Sequence, residues 1–164
     1  MLLVLVQLTS TAIASGTHSG GHGHDDAAIG RPGDAADVSR TIAIDMNDDM
    51  RFSPANLQAR QGETIRFLIS NSGKLKHEFV LGTEKELRQH YELMKKNPEM
   101  EHSDPNMITL AAAQSGEVLW QFSKAGKIDF ACLQPGHYDA GMKGKVQVSK
   151  SRTISASSAP AHQH

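Results

Sequence analysis

The chain has 164 residues, a formal net charge of −1 and 38% hydrophobic residues. This near-balanced charge argues against a nucleic-acid partner or an anionic membrane surface, and a single cysteine excludes an intramolecular disulfide. The length suits one domain with tails, and the modest apolar content fits a compact middle with polar ends.

Residues 1–14 read as a secretory signal peptide. Leu2 to Leu8 is an apolar run, and Ala12-Ile13-Ala14 has the small-x-small form of a cleavage site. The run is too short to cross a bilayer, so the expectation is a periplasmic protein without membrane insertion. The competing reading is a buried N-terminal strand. Residues 15–37 are rich in Gly, His, Asp and Ala. They offer too little apolar surface to offset their ordering entropy and are expected to be disordered. His18, His22 and His24 lie here and would either gather a metal loosely or stay solvated.

The folded domain is expected over residues 38–149. Thr41-Ile42-Ala43-Ile44 alternates as a strand does and runs into the acidic turn Asp45-Met46-Asn47-Asp48-Asp49-Met50. Leu57-Gln58-Ala59 and residues 64–70 are the next strands, the second rich in β-branched and aromatic side chains. Asn71-Ser72-Gly73 breaks the pattern, and residues 76–81 resume it. Near residues 84–97 the period changes. Thr83 is suited to cap a helix, Glu84 and Glu86 would lie in its first turn, and Lys95 and Lys96 near its end. Leu87, Tyr91 and Met94, spaced at four and three, would form its apolar face. Further strands are expected at 107–110, 117–122, 127–132 and 145–148, with Gly116 and Gly126 at turns and Trp120 and Phe122 in the core. Short strands at regular spacing predict an all-β sandwich carrying one helical insertion. Residues 150–164 read as a disordered tail.

The chemistry is concentrated in Cys132-Leu133-Gln134-Pro135-Gly136-His137-Tyr138-Asp139-Ala140-Gly141-Met142. A thiolate, an imidazole and a thioether at Cys-x4-His-x4-Met spacing between two terminal strands form most of a blue-copper donor set, two histidines and a cysteine with a weak axial methionine. Gly136 and Gly141 allow a tight loop and Pro135 stiffens it. The second histidine is assigned to His77, on a strand segment just after a turn, where a sandwich can bring it beside the loop. Zinc is the chemical runner-up, since Cys and His also suit it, but methionine is a poor zinc ligand.

With these residues in view, the chain resembles the cupredoxins, the plastocyanin/azurin superfamily of single-domain blue-copper proteins, over roughly residues 40–148. The resemblance rests on residues 67–73, His77 and residues 132–142. It implies a Greek-key sandwich holding one type-1 copper, with His77, Cys132 and His137 as equatorial ligands and Met142 as the axial one. It further implies that Asn71 or Ser72 holds the loop near the cysteine sulfur. Residues 77–87, the helical insertion and residues 98–106 are more narrowly similar to the periplasmic copper-resistance cupredoxins of proteobacteria.

That likeness makes copper tolerance the leading role, with copper ions as partner and one-electron transfer as the chemical capability. A dedicated electron carrier with a redox partner protein, and a cuprous oxidase, are the alternatives. Met100 and His102 are a candidate pair for a second copper ion as Cu(I), because thioethers prefer that state. Met46 and Met50 would extend the patch, while Met94 and Met107 fit the core.

Overall fold

The computed structural model describes residues 26–98, 100 and 103–151. The expected signal, His18, His22, His24, His102 and the final tail residues lie outside this range.

Among the described residues, ten strands form two five-stranded sheets. The first is ordered β1 (Arg31–Pro32), β8 (Ser115–Gln121), β5 (Thr64–Asn71), β2 (Val38–Asn47) and β3 (Arg51–Ser53). The second runs β4 (Asn56–Arg60), β10 (Lys143–Ser149), β9 (Gly126–Ala131), β6 (His77–Gly82) and β7 (Met107–Leu110). β2 pairs with β5, and β4 with β10, in parallel; the remaining ladders are antiparallel. The architecture is the all-β Greek-key sandwich expected from the strand spacing, with one helical insertion, α2 (Glu84–Lys96).

Period-two alternation explains the core. Strand side chains point to opposite faces in turn, and the inward sets interdigitate between the sheets. Ile44, Met46, Ile65, Phe67, Ile69, Val118 and Trp120 meet Phe79, Leu81, Ile128, Phe130, Val146 and Val148. Phe79 packs on Phe130 with ring centroids 5.1 Å apart, and Phe52 meets the same ring edge-on at 5.0 Å. Trp120 and Phe122 are core residues, as expected.

All of β6 is buried. It lies between β9 and β7, and α2 covers its outer face. Leu87, Tyr91 and Met94 of α2 pack with Val80, Met107, Ala131, Leu133 and Tyr138 in a second apolar cluster. The helix starts where Thr83 predicts. The Thr83 hydroxyl accepts the Glu86 N–H, and the Glu86 carboxylate accepts the Thr83 N–H, a reciprocal cap.

Two expectations are corrected. The fold starts upstream of Val38, because a short helix, α1 (Asp26–Ile29), and β1 lead into it. Ile29 is a core residue and its carbonyl accepts the Trp120 indole N–H at 2.8 Å. One apolar anchor and one buried donor thus order a stretch whose composition reads as loose. Met46 is also fully buried in the main core, and Met50 packs against that core, so neither joins a surface methionine patch with Met100.

Candidate metal centre

The loop 132–142 closes on itself before any metal is considered. Cys132 N–H donates to the Met142 carbonyl at 3.1 Å, and Met142 N–H donates to the His137 carbonyl at 3.0 Å. Between them, His137 N–H donates to Gln134 and Ala140 N–H to Gly136, coiling the loop into tight turns. Gly136 and Gly141 have φ of 87° and 91°, a region that side-chain-bearing residues rarely adopt. The pair Lys143 and Ala131 seals the base as β10 joins β9.

The loop straddles both apolar clusters. Cys132 and Met142 belong to the main core, whereas Leu133 and Tyr138 face α2. His77 opens β6 and is fully buried. Three donor atoms converge there. His77 Nδ1 is 3.2 Å from His137 Nδ1, and Cys132 Sγ is 3.3 Å from His137 Nδ1 and 4.0 Å from His77 Nδ1. Cys132 and His77 are buried and His137 is half-buried, so solvent reaches the site from the His137 side.

The hydrogen bonds around this group fix the lone pairs. His77 Nε2 lies 3.1 Å from Asp48 Oδ1. The tautomer that satisfies both groups has Nε2–H donating to the carboxylate, which leaves the Nδ1 lone pair aimed at His137 and Cys132. Asp48 is itself held by the N–H groups of Lys74 and Leu75, at 2.8 and 3.2 Å. Those two amides, followed by the His77 imidazole, hold its carboxyl below the usual range. The sulfur accepts the Glu78 N–H at 3.3 Å.

Burial pushes the Cys132 thiol up to about 12, against the opposing pull of the Glu78 and Gln134 amides. Burial, and then the adjacent His77, push His137 down, while Asp48 acts the other way. In the metal-free site Cys132 is therefore a thiol and His137 a neutral imidazole, gathered with His77 Nδ1 at one point. Nitrogen and sulfur donors 3.2–4.0 Å apart can share a single ion bound at ordinary distances of about 2.0–2.3 Å. An imidazole pair with a soft sulfur suits copper. The donor set fits the metal.

The structure thus brings together His77, Cys132 and His137, and buries Met142 in the same core cluster as Cys132. It corrects the role expected of Asn71 and Ser72. Asn71 Nδ2 donates to the carbonyls of Leu75 and Leu110, its Oδ1 accepts the Gly73 N–H, and the Ser72 hydroxyl goes to Asp45. Asn71 shapes the turn before His77, and the sulfur takes its side-chain-to-backbone bond from Glu78.

Met100 is 37% exposed. It lines a cleft of about 330 Å³ with Lys76, Glu78, Thr109, Ala111, Gln114 and Gln134. Glu78 is buried there. Its Oε1 accepts from Gln134 Nε2 and Thr109 Oγ1, and its Oε2 has no hydrogen-bond partner among the described residues.

Sequence reasoning missed Asp48, read only as part of a turn, and the Glu78 amide, which no side-chain pattern reveals. It assigned Tyr91 to the helix's apolar face without its hydroxyl bonds. An acid at the end of a strand before a turn, followed downstream by a ligand histidine, was the one available signal for Asp48.

A Greek-key sandwich with Cys, His and Met on the loop joining β9 to β10, and a buried His beside them, defines a cupredoxin-type copper protein. Residues 38–149 match the profile of the copper binding proteins, plastocyanin/azurin family, and the chain belongs to that family.

Within the family, the chain is 53% identical over 132 residues to the copper-resistant cuproprotein CopI of Rubrivivax gelatinosus, covering 80% of each chain. It is 34% identical to the protein of the same name from Pseudomonas aeruginosa, covering 82% of this chain and 88% of the relative. The fold is similar to auracyanin A of Chloroflexus aurantiacus, with a TM-score of 0.56 and 24% identity over 66% of this chain and 98% of that one. The chain is a cupredoxin most like the proteobacterial CopI proteins, and copper is its metal. No helix among the described residues is long and apolar enough to cross a membrane.

Proposed function

We propose that this is a periplasmic type-1 copper protein serving copper tolerance, in which His77, Cys132, His137 and Met142 would hold the copper. The observation that carries the ligand assignment is the convergence of two imidazole Nδ1 atoms and one thiol on a single buried point, with Asp48 fixing one tautomer. The 53% identity to a copper-resistant cuproprotein supports the biological role. The apolar run Leu2 to Leu8 and the small-x-small Ala12-Ile13-Ala14 support export.

Bound copper supplies a one-electron couple. The protein contributes rigidity to it. The loop's internal hydrogen bonds and its closure onto β9 and β10 hold Cys132, His137 and Met142 in one arrangement. Burial excludes water from the sulfur, and the Glu78 amide limits the charge on it. Little reorganisation is then required when the metal changes oxidation state.

Copper titration with visible and EPR spectra tests the assignment. An intense thiolate-to-Cu(II) absorption that Cys132→Ser abolishes is expected; a colourless Cu(II)-loaded protein would sink it. Copper-sensitive growth of a deletion strain with normal respiration supports tolerance. Impaired respiration without copper stress would favour a dedicated electron carrier with its own redox partner.

A second reading, stoichiometric oxidation of Cu(I) in which the substrate ion would lose one electron to Cu(II) held at the type-1 site, follows from the exposed thioether of Met100, beside a cleft that shares Glu78 and Gln134 with the surroundings of Cys132. In this reading Met100 and His102 hold the substrate ion. Comparing Cu(I) titrations of wild type and Met100→Ala/His102→Ala tests it. An unchanged copper count and an unchanged rate of bleaching of the thiolate-to-Cu(II) band would remove it.

A further inference from the structure

The inserted helix α2 does more than cover β6. Its Tyr91 is 1% exposed and sits in the second apolar cluster, where a phenylalanine would pack equally well. Yet the phenol oxygen makes two directed bonds to the ligand loop. It accepts the Gly136 N–H at 2.9 Å and donates to Asp139 Oδ2 at 2.8 Å. These partners stand on either side of His137.

The loop's other turns bond internally: His137 N–H to Gln134, Ala140 N–H to Gly136, Gly141 N–H to Tyr138 and Met142 N–H to His137. The Gly136 N–H instead takes its partner from outside the loop. The Tyr91 ring stacks on Tyr138, the residue after His137, with centroids 5.0 Å apart and planes 29° apart. Lys143 Nζ lies 3.6 Å from the centre of the Tyr138 ring on the side of β10. Burial, then the bond to Asp139, push the Tyr91 phenol up, so it stays a neutral donor.

We infer that Tyr91 is a positioning residue for the copper ligand His137, its single hydroxyl pinning the loop at Gly136 and Asp139. His137 is the half-buried ligand, and the loop around it faces water at Pro135, Gly136, Asp139 and Ala140. Core packing alone therefore constrains this edge least. A hydroxyl reaching out from the buried face of α2 supplies the missing restraint and couples the helix to the metal.

The inference rests on the type-1 reading, and the experiment separates the two. Tyr91→Phe keeps the ring, the stack and the volume and removes both bonds. In the copper-loaded protein, the expected result is a changed ratio of the thiolate-to-Cu(II) absorption bands, a shifted reduction potential and an about tenfold fall in Cu(II) affinity, the size typical of outer-shell changes. In the metal-free protein, amide exchange at Gly136 is expected to speed up about tenfold, as loss of its one hydrogen-bond partner implies.

Leu87→Ala, on the same helix but bonded to no loop atom, should lower the melting temperature and leave the band ratio and potential alone. Asp139→Ala, at an exposed position, removes one bond without touching the core and covers the case in which Tyr91→Phe fails to fold. It should move the band ratio in the same direction, and Asp139→Asn, which can still accept from the phenol, should restore it. Unchanged band ratio and potential in Tyr91→Phe, with or without faster exchange, would overturn the inference. If wild type shows no thiolate band, the copper-ligand reading fails. Exchange at Gly136 then decides the clamp alone: faster in Tyr91→Phe upholds it, unchanged overturns it.

Discussion

Removing the Asp48 carboxylate should loosen copper from a site that Asp48 never touches. Asp48 accepts three hydrogen bonds, from Lys74 N–H, Leu75 N–H and His77 Nε2–H. Asp48→Ala frees the imidazole to rotate and frees the turn before β6. Outer-shell partners of this kind are typically worth about 10- to 100-fold in metal affinity, and the three lost bonds put alanine at the upper end.

The Asp48 side chain is 38% exposed, so its charge is screened by water and its orienting hydrogen bond is the larger effect. Asp48→Asn keeps an acceptor at Oδ1 for His77 and Leu75 and loses the acceptor that faces Lys74. It should therefore lie nearer wild type, at about tenfold. Both variants should raise the reduction potential, since a carboxylate favours the more positive Cu(II). Gly73 supplies an internal check. A Cβ there would lie 2.1 Å from Asp48 Oδ1, so Gly73→Ala must displace the carboxylate and should imitate Asp48→Ala. Chelator competition gives the affinities and voltammetry the potentials. Wild-type affinity and potential in Asp48→Ala would refute the reasoning, and equal losses in Asn and Ala would show that charge, not orientation, dominates.

Copper uptake should strengthen with pH. The metal-free Cys132 thiol, pushed up to about 12, carries its proton at neutral pH and must release it on binding. His137, pushed below its ordinary value, is already neutral there and releases none. Apparent affinity should rise about tenfold per pH unit above neutrality and more steeply at acid pH, where His137 also has a proton to lose; competition titrations across pH check this, and a flat profile would contradict it. Gly144→Ala would put a Cβ 2.1 Å from Phe130 Cζ and 2.7 Å from the Ala55 carbonyl. Urea unfolding should show a loss of about 1–3 kcal/mol from overpacking. Thr83→Ala removes the cap of α2 and should cost about 1 kcal/mol, visible in thermal melts, with the copper absorption unchanged because Tyr91 lies well inside the helix.

Much of the frame was legible because it is written locally. Period-two alternation identified β2 and β5, and the Thr83 cap with the spacing of Leu87, Tyr91 and Met94 located α2. Each depends only on neighbours within a turn or a strand. Composition failed at Ile29, where one apolar residue in a polar stretch enters the core and meets Trp120 across 91 positions of sequence.

The sequence alone determined which soft donors this chain owns, since Cys132, His137 and Met142 sit on one loop by covalent connection. It also singled out His77 as the candidate partner histidine. Tertiary structure decided what surrounds them: Asp48 on His77, the Glu78 amide on the sulfur, and the Tyr91 hydroxyl on the loop, pairings that span 29, 54 and 45 positions. Composition and spacing do not encode such bonds, because each forms only after two sheets and a helix have packed and left those groups facing one another.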